Sequence, residues 1–193
     1  MPALVATREG NTMTTDDMNR VETDHGTVAL CRLTACPPDL CDEIHRVCLE
    51  APNYFLSVEG QLPDQESIKL WFSEEELPFG CTSEHHNVFS VGLGDALIGV
   101  AHILAGCRDP EQATIGLLLL SEQHQGQGLG RAVFRILEAR MREWGMKSCR
   151  IGVVANNANA LAFWRSMGFA EIGEMAAMEG FLDKTIAMEK RLD

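Results

Sequence analysis

Residues 121–145, SEQHQGQGLGRAVFRILEARMREWG, set three glycines, Gly126, Gly128 and Gly130, where polar sequence gives way to a patterned helix. From Leu129 the apolar residues fall at 129, 133, 136, 137, 141 and 144, a helical spacing that Gly145 ends. The run ATIGLLLL at 113–120 delivers the chain into the glycines as a short buried strand. A helix that opens there presents unpaired backbone N–H groups and the positive end of its dipole. Glycines without Cβ let a phosphate come close to those groups. The chemistry on offer is an anion cradle made of main chain. It is not the dinucleotide fingerprint, because the third glycine position is Arg131 counted from Gly126 and Val133 counted from Gly128. A Walker loop needs Gly-Lys-Ser/Thr, which the stretch lacks.

The elements that must position this cradle are legible around it. GTVALCRLT at 26–34 alternates well enough for a first strand, and PPDLCDEIHRVCLE puts Leu40, Ile44, Val47 and Cys48 on one helical face. APNYFLSVEGQLP reads as an interruption and DQESIKLWFSEEE as another helix. NVFSVGL (87–93) and ALIGVAHILAGC (96–107) flank the turn signal Gly94-Asp95 as a hairpin. After the glycine helix come a strand at 148–155 and a short helix opened by Asn157 and closed by Gly168. Two last strands fall near 169–175 and 182–189. Residues 1 to about 26, rich in Thr, Asp, Glu and Asn without a sustained period, read as a mobile tail. Residues 27–193 read as a single domain.

Composition narrows the function classes. Of 193 residues, 46% are apolar and 23% charged, the balance of a soluble globular protein. A formal charge of −12 argues against binding a nucleic-acid backbone, which needs clustered Lys and Arg. No apolar run approaches the ~20 residues that span a bilayer, and the first residues lack a secretory pattern, so the expected compartment is the cytoplasm. The seven cysteines form no CxxC pair, and buried free thiols are the expected state, with no metal site.

Gln125-Gly126-Gln127-Gly128-Leu129-Gly130 resembles the Q/R-x-x-G-x-G/A signature of the GNAT acetyltransferase superfamily. Downstream, VVANNANALAFWRSMGF resembles that family's V-x-x-x-N-x-x-A-x-x-F/L-Y-x-x-x-G-F, with Val153, Asn157, Ala160, Phe163, Gly168 and Phe169 in place. The resemblance implies an α/β GNAT fold: a mixed, mostly antiparallel sheet flanked by helices, with a splayed strand pair that binds acetyl-CoA. It further implies that the backbone of Leu118, Leu119 and Leu120 pairs with pantetheine and that residues 125–130 bind the pyrophosphate. Arg131 is either a contact to a CoA phosphate or a solvated residue. Asn157 is either a pantetheine contact or a helix N-cap.

Two departures from the family pattern concern proton transfer. Trp164 stands where many members have Tyr, and an indole N–H cannot serve as a general acid as a phenol can. It is expected instead to line the thiol end of the tunnel. Thr114 stands about where members often have Glu, and no carboxylate occurs between Glu111 and Glu122. Tyr54, the only tyrosine, and His102, on the neighbouring strand, are the catalytic candidates, each against the alternative of ordinary packing. The expected activity is transfer from acetyl-CoA to a primary amine of a small molecule or peptide, by direct attack in a ternary complex and without a metal. The rival is a CoA-binding sensor or interaction module without catalysis, which Trp164 and Thr114 favour. A homodimer is compatible with either.

Overall fold

The computed structural model describes residues 18–74, 77–78, 80–177 and 180–192. Its strands are β1 (Met18–Thr23), β2 (Gly26–Leu33), β3 (His86–Leu93), β4 (Ala96–Ala105), β5 (Gln112–Leu120), β6 (Ser148–Val154), β7 (Ala170–Met175) and β8 (Thr185–Arg191). Its helices are α1 (Pro38–Leu49), α2 (Pro52–Val58), α3 (Gln65–Leu70), α4 (Leu129–Glu143) and α5 (Ala158–Ser166). Among the described residues the strands form one sheet in the order β1-β2-β3-β4-β5-β6-β8-β7, antiparallel throughout except between β5 and β6. This is the mixed α/β, mostly antiparallel sheet that the family resemblance implies.

Strand alternation sorts apolar residues onto two faces. On one, Leu30, Phe89, Ala101, Ile103, Ala113 and Ile115 meet Leu129, Val133, Phe134 and Leu137 of α4 and Leu161 and Trp164 of α5. On the other, Leu33, Val88, Val100 and Leu119 meet Ile44 and Cys48 of α1, Phe55 of α2 and Ile68 of α3. Each fully buried Leu, Ile or Phe contributes about 1.5–3 kcal/mol of transfer free energy, so both faces hold the sheet.

Three local expectations change. Residues 18–26, assigned to the tail, form an edge strand and its turn, with β1 pairing to β2 from Met18↔Cys31 to Thr23↔Gly26. Val21 packs on the core while Glu22 accepts a hydrogen bond from Thr27 at 2.7 Å, so pairing to β2 carries a mostly polar strand that composition hides. Residues 1–17 lie outside the described residues. APNYFLSV is not an interruption: Pro52 opens α2, where a missing N–H costs no helical bond, and Phe55 and Val58 are buried. The helix expected from Asp64 is short. The Asp64 side chain accepts from the Ser67 N–H at 2.8 Å, which keeps its carboxyl below the usual range, and the helix ends before Trp71.

The cysteines divide. Cys36 is disulfide-bonded to Cys41 and Cys81 to Cys107, which overturns the expectation of free thiols for those four. Cys48 and Cys149 are free and buried, as expected, and Cys31 is buried too. No helix among the described residues is long and apolar enough to cross a membrane.

Candidate active site

β5 and β6 are hydrogen-bonded in parallel only from Gln112↔Ser148 to Ile115↔Ile151. Past Ile115, β5 stays with β4 while β6 stays with β8. The parting coincides with a bulge. His102 faces Leu117 and Ile103 faces Ile115, so Gly116 is the extra residue on β5. Leu118 and Leu120 then face α4, and Leu119 faces α1. Only main chain is therefore presented along the opening, with no strand partner on the β6 side among the described residues.

The opening ends at the N-terminus of α4. Gln125 Nε2 donates to the Leu120 carbonyl at 2.8 Å, which ties the glycine loop to the end of β5. Gly126 and Gly128 have φ of +72° and +80°, left-handed values that L side chains rarely adopt, and a Cβ on either would meet open space. The first helical bond runs from the Ala132 N–H to the Gly128 carbonyl at 3.1 Å, so the N–H groups of Leu129, Gly130 and Arg131 precede the ladder. The Leu129 side chain is buried in the core and Arg131 is exposed. Gly130 does a different job: a Cβ there would sit 3.4 Å from Cε2 of the half-buried Phe163, so this glycine lets α4 and α5 approach. Open N–H groups, left-handed glycines and unobstructed space fit a pyrophosphate.

The other face carries a cavity of about 260 Å³. Ala113, Ile115, Ile151 and Val153 face α4 and α5, so Thr114 and Gly152 face away from them and form part of its floor with Gly116 and Thr185. Phe181, Met175 and the Cys81–Cys107 disulfide wall it, and Arg108, Asp109 and Gln112 add polar groups. The cavity thus sits over the point where β5 and β6 part. The candidate site is thus a bulged, splayed strand pair with the open N–H groups of the glycine loop on one side and a cavity on the other.

The acetyltransferase (GNAT) family model matches residues 45–169. The chain belongs to that family. Over 66 residues it is 33% identical to an uncharacterized N-acetyltransferase in the pepI 3′ region of Lactobacillus delbrueckii subsp. lactis, covering 34% of this chain and 38% of that relative. It superposes on an acetyltransferase from Thermus thermophilus with a TM-score of 0.70 and 25% identity, over 85% of this chain and 96% of that one. A GNAT-family acetyltransferase from Elizabethkingia anophelis with acetyl-CoA bound has the same fold at 15% identity, with a TM-score of 0.60 over 88% of this chain and 99% of that one.

The side chains expected at this GNAT site divide sharply. Asn157 caps α5, its side-chain oxygen accepting from the Ala160 N–H at 3.1 Å. Gln127 donates to the Gln123 carbonyl at 2.6 Å. Trp164 does not line an open tunnel. It is 4% exposed and packs edge-on against Phe134, Phe163 and Phe169, because its helical position shares the buried face of Leu161. His102 contacts Trp71 and His86 through its ring, at centroid distances of 4.6 and 5.5 Å, and its Nε2 is buried without a partner. Burial first, then the neighbouring His86, holds its pKa down to about 3. Such an imidazole is a poor proton acceptor at neutral pH. Tyr54 is largely buried, edge-on to Phe55, and burial followed by the charge of Glu59 and Cys48 pushes its phenol up. It stays protonated at neutral pH and is a poor proton donor.

Glu59, the C-cap residue of α2, escapes sequence reasoning. Burial raises its carboxyl above the usual range. A lone Glu after an irregular-looking segment gives no periodic or motif signal. No group of three or more His, Cys, Asp or Glu among the described residues could hold a metal ion.

Proposed function

We propose that the chain transfers an acetyl group from acetyl-CoA to a primary amine, the amine attacking the thioester while both are bound. The observation that carries this reading is the opening between β5 and β6, which begins at the Gly116 bulge and ends at the glycine N-terminus of α4. The N–H groups from Gly126 to Arg131 hold the pyrophosphate, and the helix dipole adds to their pull. The main chain of Leu118–Leu120 pairs with the pantetheine arm. Asn157, with its oxygen engaged as a cap, has its amide N–H₂ left to donate to that arm. Main-chain N–H at the bulge polarises the thioester carbonyl as an oxyanion-hole donor does. Holding both reactants at the parting of the strands supplies much of the rate. An acyl-cysteine route has little support, since burial pushes the Cys48 and Cys149 thiols up to about 12 and four other cysteines are paired. The Elizabethkingia structure with acetyl-CoA bound and the Lactobacillus relative named for N-acetyl transfer support the choice of cosubstrate and acceptor.

The core position of Trp164, which leaves no phenol at the family's acid position, favours a second reading as a CoA-binding module without turnover. Calorimetry with acetyl-CoA, followed by a thiol-release assay with an alkyl monoamine, a diamine and a tripeptide, separates the two. Binding with amine-dependent thiol release is expected. Binding with no release from any amine would favour the sensor, and no binding would overturn both readings.

A further inference from the structure

We infer that the Glu59 carboxylate receives the proton of the acceptor amine, an assignment that rests on the acetyl-transfer reading above. The argument starts with where α2 lies. At its N-terminal end the Asn53 N–H donates to Glu122 Oε1 at 2.9 Å, just past the end of β5. At its C-terminal end Asn156 Nδ2, just past β6, donates to the Ser57 carbonyl at 2.6 Å. This short helix therefore straddles the two parted strands on the face that carries the cavity. The Leu182 N–H donates to the Val58 carbonyl at 2.9 Å, and Phe181, the preceding residue, walls the cavity. Glu59 follows Val58 at this seam.

Its carboxylate is half-buried and makes no hydrogen bond or ion pair among the described residues, whereas Asp64 and Glu74 are held by N–H donors from Ser67 and Ser83. The titratable groups that act with it are Cys48 from α1 and Tyr54 from α2, both neutral at ordinary pH. In the adjoining β7–β8 segment, Asp183 accepts the Lys184 N–H and Lys184 is paired with Glu174. Glu122, at the far end of α2, is engaged with Asn53. No cation among the described residues neutralises Glu59, so it is poised to take a proton and to attract an ammonium group.

The step balances. An acceptor arrives as R–NH₃⁺ and gives one proton to Glu59, directly or through one water, and the proton later passes to solvent. The freed lone pair forms the N–C bond at the thioester carbonyl. The C–S bond breaks with its electron pair on sulfur, and the second nitrogen proton ends on that sulfur as the CoA thiol.

The test uses the full chain and the amine that gives the fastest thiol release in the panel. Glu59→Gln should lower kcat/KM for the amine about 100-fold and abolish the acidic limb of its pH profile, leaving the acetyl-CoA Kd within twofold. Glu59→Asp should keep the limb at a reduced rate. Thermal melts add a readout independent of turnover. A raised carboxyl means the folded chain holds the proton more tightly than the unfolded one, so ionised Glu59 opposes folding above that pKa and the penalty fades as pH falls. Glu59→Gln should therefore melt no lower than the unaltered chain at pH 7, with any gain shrinking at low pH. Turnover with an unchanged acidic limb in Glu59→Gln overturns the assignment alone, as does a lower melting temperature at pH 7. Absence of turnover by the unaltered chain with every amine overturns the acetyl-transfer reading and takes this assignment with it.

Discussion

The two faces of the sheet build their halves of the proposed site from different material. On the α4 and α5 face the cradle is main chain: consecutive N–H groups, glycines at +72° and +80°, and a helix start, all within about ten residues. On the α1 to α3 face the groups come from separate segments, with Thr114, Gly152, Thr185, Phe181 and the Cys81–Cys107 disulfide around the cavity and Glu59 as the C-cap of α2. The first half is open to solvent along its glycines. The second is partly buried and holds Tyr54, Glu59 and His102, whose proton affinities are all displaced by burial. A site made of backbone demands fixed local spacing, and a site made of side chains demands only that the fold bring them together.

The largest expected effect comes from the joint that both halves share. A Cβ on Gly99 of β4 would lie 2.4 Å from the Leu119 carbonyl oxygen and 2.5 Å from Leu120 Cδ2, and backbone cannot move aside cheaply. Gly99→Val should cost about 3 kcal/mol, near the upper end for overpacking, and lower the melting temperature by ~10 °C. Acetyl-CoA affinity should fall with it, because β5 is the wall of the opening. A melting temperature within ~2 °C of the unaltered chain would show that the β4–β5 pairing is looser than its register implies.

A second test asks whether acid sensitivity belongs to the side-chain half. Folding lowers the His102 pKa from its ordinary value of ~6.5 to about 3, so between those values the unfolded chain binds the proton first. That contribution is fully present above pH ~6.5 and is lost as pH falls toward 3, at up to ~1.4 kcal/mol per pH unit. His102→Phe keeps a ring between Trp71 and His86 and removes the titration. Urea midpoints at pH 7 and pH 5 should differ less for this variant than for the unaltered chain. Parallel losses in the two would place the acid sensitivity elsewhere, Asp64 and Glu74 being common to both.

Legibility followed the same division. The α4 helix, its apolar stripe and the strand leading into it were written in periodicity, and the glycine loop carried a motif whose spacing backbone geometry enforces. The α5 motif was as plain, and Asn157 proved to be the cap that its position suggested. β1 was hidden because its mostly polar sequence shows no alternation, while Val21 on the core and pairing to β2 suffice at a sheet edge. The α2 helix was hidden because seven residues are too few to show a period. Glu59 was unreadable for a reason of its own: what sets it apart is the absence of a partner among the described residues, and only the fold decides that. Trp164 shows the reverse error, where a motif position suggested a tunnel and the helical face turned the ring into the core.

The smallest expected effect separates two glycines that the motif treats alike. Gly128 sits at +80° with open space where a Cβ would go, and Gly130 lies in the first turn of α4 with Phe163 at 3.4 Å from that point. Gly128→Val would cost ~1–2 kcal/mol for a left-handed L-residue, and its branches would fill the space through which a phosphate reaches the N–H groups. Acetyl-CoA binding should weaken at least tenfold, or ~1.4 kcal/mol. Gly130→Ala adds one methyl at a contact that a small rotation of Phe163 relieves, and alanine is the better helix former by ~1 kcal/mol. Its stability should stay within about 1 kcal/mol and its acetyl-CoA affinity within about threefold. Calorimetry on both variants decides. Equal losses would mean that Gly130 also faces the phosphate and that its closeness to Phe163 is incidental, whereas full affinity in a folded Gly128→Val would remove the cradle from the acetyl-CoA site.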